Sequence, residues 1–253
     1  MKTLGLIGGT SWTSTIDYYR YLNEETARRL GGLHSARLVL TSLDFADVAA
    51  AMHSGRWDDA AAILRKETQR LDAAGVDGIL LCSNLLHKFY DDVCASTDRP
   101  VLHIGDALAE SIKARRYTCV ALLGAQPTME EPFYRRRIQE KSGASVLTPP
   151  RADREFIDTA IFDRMCKNIY TEADRTEIKR IVSGLKLVGA EAVILGCTEL
   201  PVLLKEAALP LLDSTLLHSR KAAAWACGEG CPARPCRKPE AAKAGSEEGP
   251  GVF

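Results

Sequence analysis

The feature of this sequence that most constrains its fold is an internal repeat. An apolar run that breaks at small residues occurs at positions 4–9 and again at 120–125. Later in each half, a second apolar run leads into a polar loop, at positions 75–84 and 189–198. Like elements that recur in the same order predict two copies of one structural unit within a single chain.

The spacing inside the two copies is nearly equal. Gly8 precedes Ser83 by 75 positions, and Gly124 precedes Cys197 by 73 positions. Two such units facing each other would bring Ser83 and Cys197 to opposite walls of one cleft. The loops that contain these two residues are therefore the first place to look for chemistry.

Strand-like and helix-like patterns alternate along the whole chain. This alternation predicts βαβ units, an α/β fold and a mostly parallel sheet, in which ligands bind at the carboxyl ends of the strands. The helical patterns cover 14–30, 57–74 and 171–188. The strand candidates are Thr3–Ile7, Ala36–Thr41, Gly78–Leu81, Val101–His103, Cys119–Leu123, Ser145–Leu147 and Ala192–Leu195.

The repeat also divides the chain into domains. We expect a first α/β domain formed by residues 1–106 together with 205–227, because Asp213-Ser214-Thr215 resembles a helix cap at the start of a segment that returns to the first unit. Residues 107–204 form the second domain. Residues 228–253 are rich in proline, glycine and charge, which predicts a disordered tail.

The charge balance limits the kinds of partner. Lysine and arginine together number 33, as do aspartate and glutamate, so the formal net charge is zero. A chain without excess charge does not favour a nucleic-acid or membrane-surface partner. The apolar run after Met1 is too short for a signal peptide, and no run approaches the ~20 residues of a membrane span. The expected partner is a small molecule, and the expected location is the cytoplasm.

Cys197 is the strongest candidate for a reactive side chain. It follows a predicted strand and precedes a polar pair at the expected start of a helix. The amides at a helix start lower the pKa of a thiol, which would make Cys197 a usable base or nucleophile. The alternative is a buried, inert cysteine, which is the more common fate of a single cysteine.

Two further features have a functional and a structural interpretation. Gly8 and Gly9 follow the first strand, where they could let the backbone approach an anion, or they could simply form a tight turn. His87 lies one helical turn after Ser83, where it could hold or polarise that loop. It could equally be a surface or capping histidine.

No group of residues has the spacing of a metal site. The nearest pattern is Cys227-x3-Cys231-x4-Cys236, which lies in or beside the tail and has no fourth ligand. We therefore expect no metal.

Several short motifs, in one order over residues 1 to about 225, resemble the cofactor-independent aspartate/glutamate racemases, in particular the bacterial amino-acid racemase branch. The motifs are Gly8-Gly9-Thr10-Ser11-Trp12, Gly31-Gly32-Leu33-His34-Ser35-Ala36, Leu43-Asp44-Phe45, Leu81-Cys82-Ser83-Asn84 with His87-Lys88, His103-Ile104, Leu122-Leu123-Gly124 with Thr128-Met129, and Leu195-Gly196-Cys197-Thr198-Glu199.

The resemblance implies two similar three-layer α/β/α domains with parallel four-stranded sheets, related by a pseudo-twofold axis, and an active site in the cleft between them. It implies an isomerase that removes the Cα proton of an amino acid on one face and returns a proton on the other, with no pyridoxal phosphate or other cofactor. Two side chains on opposite walls then serve as base and acid, usually both cysteine. A homodimer is suggested by the resemblance alone.

The first loop departs from the two-cysteine pattern. In two-cysteine members the catalytic cysteine directly precedes the asparagine, whereas here Ser83 precedes Asn84 and Cys82 lies one place earlier. Strand alternation points Cys82 away from the side that Ser83 faces. The predicted catalytic pair is therefore Ser83 and Cys197, with Cys197 as the main base.

The resemblance also implies which residues bind the substrate. Three of them are apolar where the family commonly has a polar residue. Met52 stands in place of a glutamine, and Leu85 and Ala125 each stand in place of a threonine. Lys167 matches a lysine of some members, or it is a solvated helix end. The predicted substrate-binding residues are Thr10, Met52, Asn84, Leu85, Ala125, Lys167, Thr198 and Glu199, supported by Gly8, Gly9 and His87.

These departures leave two other functions open. One is a catalytically impaired member of the family that binds a small amino or carboxylic acid, or only a protein partner. The other is a related decarboxylase or isomerase that uses Cys197 on a different small acid. An amino-acid racemase remains the leading hypothesis, with either an acidic or a more apolar substrate.

Overall fold

Two four-stranded, all-parallel sheets form the centre of the molecule, and each has helices on both faces. The computed structural model describes residues 1–230, apart from the side chain of His53. The predicted disordered tail lies outside the described residues from position 231 onward.

The two sheets have the same topology. Counted along the chain, the order is β2-β1-β3-β4 in the first sheet and β6-β5-β7-β8 in the second. The strands of the first sheet are β1 (Thr3–Gly8), β2 (Arg37–Ser42), β3 (Gly78–Leu81) and β4 (Val101–Leu102). Those of the second are β5 (Cys119–Gly124), β6 (Ser145–Leu147), β7 (Ala192–Gly196) and β8 (Leu211–Asp213).

Eleven α-helices connect and cover these strands within the described part of the chain. They are α1 (Trp12–Leu30), α2 (Phe45–His53), α3 (Trp57–Ala73), α4 (Tyr90–Ala95), α5 (Ile104–Arg115), α6 (Gln126–Glu130), α7 (Pro132–Ser142), α8 (Arg151–Thr159), α9 (Glu172–Leu187), α10 (Leu200–Leu203) and α11 (Ser214–Ala226). Short 3₁₀ turns cover Leu85–Phe89 and Met165–Lys167, and a π turn covers Ala160–Arg164. No helix within residues 1–230 is long and apolar enough to cross a membrane.

The internal strands are apolar throughout because helices cover both of their faces. Every residue of β3 and of β7 is buried, as expected for parallel strands inside an α/β domain. The alternation of strands and helices predicted from the sequence is confirmed, and so is the pair of similar domains. All seven predicted strands are present.

The eighth strand changes the predicted role of the segment 205–227. Its strand β8 pairs with β7 and completes the second sheet, in the position that β4 occupies in the first. Its helix α11 then packs against α1 and α5. The segment therefore contributes a strand to the second domain and a helix that packs on both halves. The sequence predicted it to belong to the first domain alone, because a strand of three residues after a proline gives little periodic signal.

Candidate active site

A narrow cavity lies where the carboxyl ends of β1, β3, β5 and β7 meet, with walls from both domains. It encloses about 40 Å³, which is room for roughly three water molecules. Nine of the predicted catalytic and binding residues line it, namely Thr10, Met52, Ser83, Asn84, Leu85, Ala125, Cys197, Thr198 and Glu199. The two matched loops therefore do face one space.

Four other predicted residues lie outside the cavity wall. Lys167 is exposed at the end of its 3₁₀ turn. Gly8 and Gly9 are needed for packing, since a Cβ on Gly8 would overlap Thr15 and one on Gly9 would overlap the backbone of Leu43. The Gly9 amide donates to Thr15 Oγ1 at 2.8 Å, so it is already used within the protein. The fourth residue, His87, does not line the cavity but contacts the loop that carries Ser83.

His87 holds the loop that carries Ser83. Its Nδ1 donates to the Ser83 carbonyl oxygen at 2.8 Å, and its Nε2 accepts from the Ile104 amide at 3.1 Å. Because a carbonyl is only an acceptor, this arrangement fixes the neutral tautomer with the proton on Nδ1. Burial lowers the pKa of His87 to about 4. At neutral pH it positions the loop and carries no charge.

The structure places Cys82 in the core and Ser83 in the cavity wall. Leu80 and Cys82 belong to the apolar cluster under α1 and α11, whereas Ile79 and Leu81 belong to the cluster on the other face. Cys82 is fully buried, and burial raises the pKa of its thiol. Ser83 lines the cavity.

Cys197 is a thiol that points at a carboxylate. Its Sγ donates to Glu199 Oε2 at 3.0 Å. Burial, with the nearby Glu199 charge, raises the pKa of Cys197 well above its usual range. The expectation that helix-start amides would lower this pKa is wrong, because α10 is only four residues long and desolvation outweighs its amides.

The Glu199 carboxylate accepts hydrogen bonds from side chains of both domains. Thr198 Oγ1 donates to its Oε2 at 2.7 Å, and Ser14 Oγ donates to its Oε1 at 3.1 Å. Ser14 lies on α1 and also contacts Thr198 Oγ1 at 2.5 Å. The carboxylate beside Cys197 is therefore held in place from three directions.

Three buried polar atoms around the cavity have no hydrogen-bond partner among residues 1–230. They are Thr10 Oγ1, Asn84 Nδ2 and Thr128 Oγ1. Asn84 is oriented by Tyr134, whose hydroxyl donates to Asn84 Oδ1 and leaves the amide nitrogen free to donate elsewhere. Buried polar groups are rarely left unpaired. These three atoms are therefore suited to the charged groups of a small polar ligand.

Part of the wall was not identified from the sequence. Thr128 lies in a motif noted there, but it was not assigned a role. Phe162 and Cys166 come from the π and 3₁₀ turns after α8, which have no recognisable sequence signal. Burial raises the pKa of Cys166 to about 12, so it is a neutral thiol at physiological pH. The other unassigned lining residues are Ser11, Phe45, Leu86, Ile161 and Gly196.

The chain is similar in sequence and fold to known proteins over most of its length. The family model of Asp/Glu/hydantoin racemases matches residues 7–227. A Yersinia pestis protein described as a candidate Asp/Glu racemase is 41% identical, with a TM-score of 0.83, over 90% of this chain and 100% of that one. An aspartate racemase homologue from Pyrococcus horikoshii OT3 is 31% identical, with a TM-score of 0.77, over the same shares of the two chains.

A more distant match extends the likeness in fold. Glutamate racemase from Francisella tularensis subsp. tularensis SCHU S4, solved in complex with D-glutamate, is 15% identical with a TM-score of 0.62, over 92% of this chain and 85% of that one. The shared two-domain architecture and the match over residues 7–227 confirm the resemblance seen in the sequence, and this chain belongs to the Asp/Glu/hydantoin racemase family.

Proposed function

We propose that this protein is an amino-acid racemase that inverts Cα by proton transfer and needs no pyridoxal phosphate. The observation that carries the proposal is the shared cavity. Ser83 and Cys197 follow corresponding strands of two like domains and line one space together with three unpartnered polar atoms. Inverting a stereocentre requires a proton donor and a proton acceptor on opposite faces, which two such walls supply.

Cys197 acts as the base in this proposal. Its thiol proton passes to Glu199 Oε2, along the hydrogen bond that joins them, and the thiolate then takes the Cα proton of the substrate. The α-ammonium group of the substrate favours this step, because a positive charge in the cavity offsets the burial that opposes the thiolate. Glu199 is thus the temporary proton acceptor for Cys197.

Ser83 serves the other face as the weaker partner. An alcohol is a poor base, but it can hand its proton to the carbanion, and the proton held by Glu199 then returns through solvent to the Ser83 oxygen once the product leaves. The two directions of the reaction then differ in rate, although the equilibrium between the enantiomers is unchanged.

The unpartnered donors stabilise the intermediate. When Cα loses its proton, negative charge spreads onto the substrate carboxylate. Thr10 Oγ1, Asn84 Nδ2 and Thr128 Oγ1 are buried donors already in place for that charge. Donors that are fixed before the reaction stabilise developing charge without reorganising.

The direct test is exchange of the substrate Cα proton for deuterium in D₂O, followed by NMR over all common L-amino acids. Wild type should exchange at least one of them, and Cys197→Ala should not. Cys82→Ala is the matched control, because Cys82 follows β3, the strand that corresponds to β7, and is buried in the core. It should retain exchange, and equal rates in wild type and Cys197→Ala would overturn the proposal.

The same experiment decides the main alternative. Serine in place of a second cysteine, together with the raised pKa of Cys197, would also suit a member of the family that binds an amino acid without turning it over. Thermal stabilisation by an L-amino acid without any exchange at Cα would support that function.

A further inference from the structure

A second cavity adjoins the first and continues its apolar side. It encloses about 320 Å³ and shares Met52, Leu85 and Phe162 with the narrow cavity. Trp57 forms part of its far wall. A ligand whose Cα lies between Ser83 and Cys197 could therefore extend its side chain past three apolar residues into this larger space.

Neither cavity offers a cation to a negatively charged side chain. Within residues 1–230, no lysine or arginine lines either space. The charged residues that do line them are all acidic, namely Glu199 in the narrow cavity and Glu130, Glu131 and Asp158 in the adjoining one. A second carboxylate on the substrate would find no lining cation to pair with, and the apolar stretch of Met52, Leu85 and Phe162 would not stabilise its charge.

Two of the three acidic side chains of the adjoining cavity are paired with a cation, and the third, Asp158, accepts from the Gln126 amide at 2.6 Å. Both carboxylate oxygens of Glu131 accept from Lys88 Nζ, at 2.7 and 2.6 Å, and Glu130 accepts from Arg154 at 2.8 Å. The Lys88 ammonium also lies 3.8 Å from the centre of the Trp57 ring. These contacts already offset the negative charge of Glu130 and Glu131, so the adjoining cavity does not select a cationic side chain either.

We propose that the substrate is an amino acid with an uncharged, apolar side chain large enough to reach Trp57. This inference rests on the proposed racemase function and specifies its substrate class. The α-carboxylate and α-ammonium groups meet the polar atoms of the narrow cavity, and the side chain passes Met52, Leu85 and Phe162. Two of the apolar positions where the sequence departs from the family, Met52 and Leu85, thus determine specificity together with Phe162.

Two measurements on the full chain test the substrate class. The first is kcat/KM for Cα deuterium exchange with L-leucine, L-methionine, L-phenylalanine, L-alanine, L-aspartate, L-glutamate and L-lysine. The second is calorimetric titration of the Cys197→Ala variant with the same compounds. We expect the best of the first three to exceed aspartate, glutamate and lysine by at least about tenfold in both measurements, as unpaired buried charge is costly.

The exchange rates test the racemase function, and the affinities test the substrate class independently of turnover. Exchange that is fastest with aspartate, glutamate or lysine would uphold a racemase and overturn the apolar substrate class. Absence of exchange with every compound would overturn the racemase, and the ranking of affinities would still decide the class. Equal affinity for apolar and charged compounds would overturn the class.

Substitution of Trp57 locates the side chain. Trp57→Ala should lower kcat/KM for the large apolar substrate about tenfold or more, since several buried contacts are lost. The variant should lower kcat/KM for L-alanine much less, because a methyl group does not reach the adjoining cavity. Trp57→Phe, which keeps an aromatic ring against Phe89, should retain most of the activity and guards against a folding defect. An equal loss with both substrates would contradict the proposed path.

Discussion

At the scale of single residues, the most informative contact is the one between the Cys197 thiol and the Glu199 carboxylate. The negative charge of Glu199 helps to raise the pKa of Cys197, and the same carboxylate is placed to receive the thiol proton. In the proposed mechanism, Glu199 therefore opposes the thiolate in the resting site and makes its formation possible during turnover.

Glu199→Gln separates these two effects. Removing the negative charge should lower the pKa of the Cys197 thiol, so the pH profile of its alkylation by iodoacetamide should shift to lower pH. Exchange at Cα should nevertheless slow by about a hundredfold or more, because the proton acceptor is lost.

Peptide mass spectrometry reports the alkylation of Cys197 separately from that of other cysteines. Glu206→Gln is the control, since Glu206 is an exposed acid that pairs with Lys179 away from the cavity. An unchanged profile in Glu199→Gln would show that burial alone sets the pKa of Cys197.

Ser83→Cys tests the opposite wall. A thiol is a better base than an alcohol, so the variant should speed the slower direction of racemisation by about tenfold or more. The initial exchange rates of the L and D enantiomers should become more nearly equal. Measuring both rates by NMR in D₂O checks the expectation, and an unchanged ratio would argue that Ser83 handles no proton.

At the scale of elements, three buried histidines join β3, β4 and α11. The ring centres of His87 and His103 lie 4.4 Å apart, and those of His87 and His218 lie 5.8 Å apart. His218 donates from Nε2 to the Leu102 carbonyl oxygen and accepts at Nδ1 from the Tyr18 hydroxyl. His103 Nδ1 accepts from the Gly105 amide, which caps α5. All three are therefore neutral parts of the framework behind the Ser83 loop.

This cluster should make the protein acid-sensitive. Burial lowers the pKa of His87 to about 4 and that of His218 to about 3, from 6.5. Below pH 6.5 the unfolded chain binds protons that the folded chain does not, so stability falls as the pH decreases toward those values. Each histidine contributes a slope of about 1.4 kcal/mol per pH unit within its window.

Urea unfolding at pH 7 and pH 5 measures this loss, and His218→Gln tests its origin. The glutamine amide can still donate to Leu102 but does not titrate. The variant should lose less stability between the two pH values than wild type does, by about 2 kcal/mol, because only the part of the interval below pH 6.5 lies in the window of His218. The same pH dependence in both proteins would place the acid-sensitive groups elsewhere.

Some of these elements could be predicted from local sequence patterns, and others could not. The paired domains, seven strands and the placement of Cys82 in the core and Ser83 in the cavity wall follow from periodicity and strand alternation, which are local properties. Strand β8 is too short to give a pattern, and Phe162 and Cys166 enter the cavity from irregular turns. The raised pKa of Cys197 depends on burial by both domains, which no local pattern encodes.

At the scale of the whole molecule, the cleft between the domains is closed. Several contacts cross it, among them Ser14 with Thr198 and Glu199, Tyr134 with Asn84, and Lys88 with Glu131. The narrow cavity is too small for an amino acid. We therefore expect the domains to part before the substrate binds and to close again around it.

Breaking the Lys88–Glu131 ion pair should favour the open state. Their side chains are 21% and 35% exposed, which places the pair at the mouth of the cleft. A partly exposed pair contributes up to about 1 kcal/mol, so Glu131→Gln should raise the open population by at most about fivefold. The effect should be visible as faster alkylation of Cys197 by a bulky maleimide.

Two comparisons make that measurement specific to opening. The ratio of the maleimide rate to the iodoacetamide rate should rise, because a change in thiol pKa would alter both rates alike. Glu110→Gln removes a pair with Lys221 on the surface formed by α5 and α11 and should leave the ratio unchanged. If Glu131→Gln also left it unchanged, the cleft would open without breaking the Lys88 contact, and access to Cys197 would be set by the contacts of Ser14 and Asn84.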